Sequence, residues 1–89
     1  MALNTTHTLK IQQELFKLIK LGIKRYEIRN NDRDFQVDDT LILISFSEYR
    51  VPANRVVCRI THVLKDVPQF GLKDGYAILS FEVILFNRL

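Results

Sequence analysis

Helical periodicity occurs once in this chain, near its start, and the apolar residues that follow alternate as they do in strands. Ile11, Leu15, Leu18 and Ile19 recur at i, i+4, i+7 and i+8, with Gln12, Gln13, Lys17 and Lys20 between them. That spacing predicts a helix with one apolar face. Gly22 is expected to end it, because a residue without Cβ takes the left-handed conformation of a helix C-terminus at little cost. Lys17 and Lys20 in the last turns oppose the negative end of the helix dipole and mark the same boundary.

Strand-like alternation is expected over residues 6–11, 26–29, 55–64 and 76–86. Residues 40–46 are apolar on both faces and are expected to form a central or fully covered strand. In residues 55–64 the alternation puts Val56, Cys58, Ile60, His62 and Leu64 on one face. In residues 76–86 it groups Ala77, Leu79, Phe81, Val83 and Leu85. Between the strands, residues 30–34 have turn chemistry in their short Asn and Asp side chains. Residues 48–54, with Pro52, read as a connection or hairpin end, and residues 66–75 as irregular. One helix and about five strands in 89 residues describe a single small α+β domain, residues 1–89, with a curved or barrel-like sheet.

Between the helix and the apolar strand, residues 22–39 hold Lys24, Arg25, Arg29 and Arg33 against Glu27, Asp32, Asp34, Asp38 and Asp39. Four cations against five anions form an ion network sooner than a basic patch. The whole chain is nevertheless basic, at +3 with a pI of about 9.2, which is compatible with a polyanionic partner. A lone cysteine, Cys58, cannot form an internal disulfide, and no charged-then-apolar leader opens the chain, so a reducing cytoplasm is expected. No apolar run approaches the ~20 residues of a spanning helix, so no membrane partner is expected.

Few residues could support chemistry. Cys58 and His62 would share a strand face with Cα atoms ~13 Å apart, too far to ligate one metal. No metal and no cofactor is expected, and the three glycines form no phosphate loop. Glu27 and Arg29, two apart on a strand, point to one side with Cα atoms ~7 Å apart, within reach of an arginine fork. Lys24, at the helix-to-strand turn, could join them, and its charge state would be set by its neighbours. The cluster reads either as a structural network tying helix to sheet or as a binding or nucleophilic site.

At these residues the chain resembles a known family. Gly22-x-Lys24-x-x-Glu27-x-Arg29 is similar to the G-x-K-x-x-E-x-R motif of ASCH (activating signal cointegrator homology) domains, small β-barrels of the PUA-like superfamily. More narrowly, His7-x-Leu9-Lys10 resembles the H-x-L-K of a stand-alone bacterial and phage subfamily of unknown function. The run from Glu27 through Asn31, Asp32, Arg33, Phe35 and Val37 to Asp39 resembles that subfamily's E-I-R-x-N-D-R-x-F-x-V-G-D, and Arg59-Ile60-Thr61 and Gly71-Leu72-Lys73-x-Gly75-Tyr76 fit later pieces. Asp38 stands where the subfamily has glycine, and Val51-Pro52-Ala53-Asn54 replaces an aromatic-Thr-Gly turn.

The resemblance implies a cleft between helix and barrel that takes RNA or a nucleotide, with His7, Lys10, Lys24, Glu27, Arg29 and Arg33 as ligand-binding residues. Asp32 and Asp34 would hold Arg33 and its loop. A branch of the family removes the acyl group of N4-acetylcytidine with a lysine at the Lys24 position, so Lys24 and Glu27 are the catalytic pair of an alternative amidohydrolase reading. That branch's threonine is Glu27 here, and its helical insertion with a further glutamate is missing; the glutamates are Glu14, Glu27, Glu48 and Glu82. A third expectation is a protein-interaction module of phage or mobile-element origin, resting on Val57 and Ile78 on outer strand faces. The sequence leaves the oligomeric state open.

Overall fold

The computed structural model describes residues 4–46 and 52–88. Its elements are β1 (Thr6–Gln12), α1 (Gln13–Lys20), β2 (Tyr26–Asn30), β3 (Thr40–Phe46), β4 (Pro52–Lys65), a 3-10 turn (Pro68–Phe70) and β5 (Tyr76–Arg88). The five strands form one sheet in the order β1-β3-β4-β5-β2, curled into a half-barrel. β1 runs parallel to β3, and all other pairs are antiparallel. Parallel neighbours cannot be joined by a hairpin, and the crossover from β1 to β3 holds α1 and β2. α1 packs on β1 and β3.

The turn after α1 follows from Gly22. Gly22 N–H donates to the Ile19 carbonyl at 3.0 Å and Ile23 N–H to the Leu18 carbonyl at 2.9 Å, with Gly22 at φ 77°. This is the Schellman closure, which needs a left-handed residue at that position. The non-glycine residues with positive φ among those described are Asp34, Asp38 and Asp66. Asp38, at φ 73°, takes the left-handed conformation at the place where a glycine was expected, as a short polar side chain can.

The buried face of α1 differs from expectation. Phe16 and Ile19 are buried, Leu15 is half-buried and Leu18 is exposed. Ile11 belongs to β1, so it could not set the helical phase, and the i, i+3 pair of Phe16 and Ile19 defines the inward line. The core gathers these with Leu9, Ile11 and Phe35, with Leu41 and Leu43 of β3, Val56, Cys58 and Ile60 of β4, and Ala77, Leu79 and Phe81 of β5.

Two strands break their own alternation. β4 and β5 slip register between Ile60 and His62, where Thr61 is the extra residue. Past it Val63 turns inward against the core, while His62 and Leu64 are exposed, so His62 does not share the face of Cys58. A second slip leaves Ile84 as the extra residue of β5, and Val83 and Leu85 are exposed instead of joining the core. β3 is paired on both sides, but only Leu41, Leu43 and Ser45 are buried; Ile42 and Ile44 on its other face are half-buried, so the strand is not covered on both faces. Of the connection expected over residues 48–54, residues 52–54 belong to β4 and the rest lies outside the described residues.

Candidate functional site

β1 and β2 are the two edges of the half-barrel, and a gap separates them. On β2 the inward positions are Glu27 and Arg29, opposite the buried Leu79 and Ala77 of β5. A carboxylate aimed at an apolar core is costly unless it is paired and hydrogen-bonded. Glu27, 5 % exposed, is paired at both oxygens. Lys24 Nζ donates to Oε1 at 2.6 Å and Arg29 Nε to Oε2 at 3.0 Å. Lys24 Nζ also donates to the Tyr26 carbonyl and lies 4.4 Å from the centre of the Tyr26 ring.

Across the gap, arginines take the place of a strand ladder. Along one strand edge, alternate residues present their main-chain groups, so the Thr8 and Lys10 carbonyls face the same way. Arg29 Nη2 donates to the Lys10 carbonyl at 2.8 Å and Arg33 Nη1 to the Thr8 carbonyl at 2.9 Å. Arg33 is carried by the turn after β2, which is pinned by Asn31: its Oδ1 accepts from Phe35 N–H at 2.9 Å, and Phe35 is buried in the core.

The cleft so formed has a volume of about 490 Å³, and Lys10, Glu27, Arg29, Asp32, Arg33 and Tyr76 line it. The structure therefore brings four of the six expected site residues together. Lys24 lies on the far side of Glu27 and lines a smaller cavity of about 320 Å³ with Gly22, Arg25 and Glu82.

His7 faces inward from β1, 5 % exposed, and does not line the cleft. Its ring meets the Phe35 ring edge-on at 4.6 Å, and its Nε2 lies 2.8 Å from Asp39 Oδ2. Burial alone would raise the Asp39 carboxyl. The bonds from His7, Thr5 N–H and Gln36 N–H, with the charge of His7, outweigh it and hold the group below its ordinary value. Asp39 is the member of this unit that sequence reasoning missed, since its partners are a strand residue 32 positions away and two main-chain groups.

Asp34 does not hold Arg33; its Oδ1 accepts from Gln36 Nε2 at 2.9 Å. Asp32 lines the cleft without an ion pair among the described residues. Arg59 joins Asp38 to Glu82 on the surface, and the bond to Glu82 Oε1, at 3.0 Å, is the main reason its guanidinium pKa is raised.

Cys58 is fully buried and burial pushes its thiol up to about 12, which makes it a poor nucleophile. Among the described residues no cluster of three or more His, Cys, Asp and Glu could hold a metal ion, and no helix is long and apolar enough to cross a membrane.

Over 57 residues, 64 % of this chain, the sequence is 37 % identical to an uncharacterized 12.9 kDa protein in the GpA 3′ region of Escherichia phage P2. The match covers 52 % of that relative, so the chain aligns to about half its length. Residues 6–81, from the first residue of β1 into β5, match the family described as a domain of unknown function, DUF3850. The cleft, the His7–Asp39 unit and all five strands draw on that matched span, and the chain belongs to the DUF3850 family.

Proposed function

We propose that the chain is a small RNA- or nucleotide-binding domain of the PUA-like (ASCH) kind, with the cleft between β1 and β2 as its ligand site. The observation that supports this reading is the state of the two cleft arginines. Each is oriented by a main-chain carbonyl of β1, and each retains donors among the described residues, where Arg29 uses two of its five N–H groups and Arg33 one. Guanidinium groups held in place with donors to spare suit phosphate or a base edge, and little side-chain entropy remains to be lost on binding. Lys10 on the rim adds a third cation, and Tyr76 offers a ring on which a base can stack.

Glu27 holds this arrangement in place, since it fixes Arg29 from behind. Lys24 stands in the same relation to Glu27 from the other cavity, so it supports the site and does not enter it.

The test is fluorescence anisotropy with short single-stranded RNAs and nucleotides across a salt series. Three phosphate contacts give a slope of log affinity against log salt of about −2 for a single strand. Arg29→Ala with Arg33→Ala removes binding while circular dichroism stays unchanged. Binding that ignores salt, or no binding to any member of the panel, overturns the proposal.

The amidohydrolase reading has one observation in its favour, the Lys24–Glu27 contact at 2.6 Å. A general base must reach the proton it takes, and Glu27 is 5 % exposed with both oxygens held by cations. Lys24 is 10 % accessible at its side chain and outside the larger cleft. Turnover of N4-acylated cytidines that disappears in Lys24→Ala would displace the binding reading.

The interaction reading draws on the phage relative and on exposed apolar surface. Val57 and Ile78 are half-buried, so that surface lies elsewhere, on the C-terminal half of β5.

A further inference from the structure

The cleft between β1 and β2 has two unlike walls. The guanidinium heads lie against β1, Arg29 on the Lys10 carbonyl and Arg33 on the Thr8 carbonyl. The opposite wall includes Asp32. Its turn is fixed at both ends. Asn31 N–H donates to the Gly75 carbonyl at 2.8 Å, which ties the turn to the start of β5, and Phe35 N–H donates to Asn31 Oδ1 at 2.9 Å.

Asp32 differs from the other carboxylate of the cleft. Glu27 has both oxygens held by Lys24 and Arg29. Asp32 is exposed, and among the described residues its side chain has neither an ion pair nor a hydrogen bond, although two arginines share the cleft with it. An uncompensated carboxylate repels phosphate, and this sets how a nucleotide can lie. The phosphate goes to the arginines on the β1 wall, and the base comes to Asp32. A carboxylate only accepts hydrogen bonds, through two oxygens. Among the bases of RNA, guanine alone presents two donors side by side, N1–H and the N2 amino group. Cytosine and adenine set a ring-nitrogen lone pair beside the amino group, and uracil sets carbonyl oxygens on both sides of N3–H. Each of these turns a lone pair toward the second carboxylate oxygen.

We propose that Asp32 makes the cleft selective for guanine, its two oxygens accepting from N1–H and the N2 amino group while Arg29 and Arg33 hold the phosphate. The selection rests on the nucleotide-binding reading of this cleft and adds the identity of the base. A free guanine nucleotide and a guanosine within single-stranded RNA offer the same edge and a phosphate, so the chemistry is shared between them. Asp32 itself gives no affinity for the phosphate. It works against uracil, adenine and cytosine as much as it works for guanine.

The test is competition binding to the full chain and to Asp32→Asn, with the 5′-monophosphates of guanosine, inosine, adenosine, cytidine and uridine. A second arm uses short oligouridines, unmodified or carrying one guanosine or one inosine. The parent is expected to prefer guanosine to uridine monophosphate by roughly tenfold, the scale of one two-point base contact. Inosine, which lacks the N2 amino group, falls between them. In Asp32→Asn the guanosine nucleotide binds more weakly and the uridine nucleotide at least as well as before, because an amide carries no charge and presents one donor and one acceptor. A change that only loosened the turn would weaken every nucleotide alike. The preference in either arm carries the inference, and the arm with the tighter binding names the source of the guanine. Equal binding of all bases, inosine bound as tightly as guanosine, or a guanine preference that Asp32→Asn keeps overturns the inference and leaves the binding reading standing. If the parent binds no member of either arm, the binding reading falls and the inference falls with it. The ranking of ligands on the parent decides the matter even if the variant does not fold.

Discussion

Arg29 reaches across the open seam of the half-barrel and donates from Nη2 to the Lys10 carbonyl at 2.8 Å. The same guanidinium holds Glu27 through Nε at 3.0 Å. One side chain thus ties an edge strand, a buried carboxylate and a cleft together. Where a closed barrel would place a ladder of main-chain bonds, this fold uses side chains and leaves a cleft between them.

Glu27 is therefore expected to matter to stability out of proportion to its size. Glu27→Ala leaves Lys24 nearly buried without its carboxylate, at a cost of about 3 kcal/mol. Replacing both partners, as Glu27→Leu with Lys24→Met, recovers most of that loss, because the nearly buried ammonium goes with its carboxylate and Arg29, more open to water, keeps the Lys10 carbonyl. Urea denaturation of the three proteins gives the comparison; a double variant as unstable as the single one contradicts it.

Asp39 sets an acid limit on the fold. Its carboxyl is held below the ordinary value of 3.8 in the folded state, so the unfolded chain binds the proton more readily. The stabilisation is complete above about pH 5 and falls away as pH drops through 3.8 and below. Asp39→Asn flattens that part of the stability profile and costs about 1–2 kcal/mol at neutral pH, where the charged acceptor is lost. Denaturant midpoints between neutral pH and pH 3 measure both effects, and equal acid sensitivity in the variant counts against the assignment.

Local features of this fold were legible in the sequence, and features that depend on pairing were not. Gly22 announced its turn, and Glu27 and Arg29, two apart on a strand, announced their contact, because both depend only on spacing along the chain. The bulges at Thr61 and Ile84 carry no local mark. They arise where β4 and β5 are paired out of step, and each flips the residues beyond it, which sent His62 and Leu85 to faces that strict alternation denied them. The site divides in the same way. That Lys24 could join Glu27 was readable from spacing and the contact forms, but that Arg33 would rest on Thr8, and that His7 would turn inward to Asp39, are contacts across 25 and 32 residues.

Gly22 provides a clean test of conformational demand, since a Cβ built there meets nothing within 4 Å. Gly22→Ala costs about 1–2 kcal/mol through the left-handed backbone alone. Gly22→Asn costs less, because asparagine tolerates that conformation. Thermal denaturation ranks the three, and an alanine variant as stable as the parent shows that the turn can close another way.

The seam makes the last prediction. On β1 the odd-numbered residues direct their main-chain groups to β3, as the Thr40 N–H bond to the Thr5 carbonyl shows, and the even-numbered ones face the gap. Leu9 and Ile11 amides are thus protected as long as β1 stays docked. If Arg29 and Arg33 hold β1 in place, Arg29→Ala with Arg33→Ala lowers the free energy of local opening by about 1–2 kcal/mol, the value of two hydrogen bonds from charged donors partly open to water. Hydrogen exchange at Leu9 and Ile11 then quickens by roughly tenfold while the Val56 and Ile60 amides of β4 keep their rates. Uniform acceleration across both strands instead means that the arginines stabilise the whole domain, and that the cleft has no opening motion of its own.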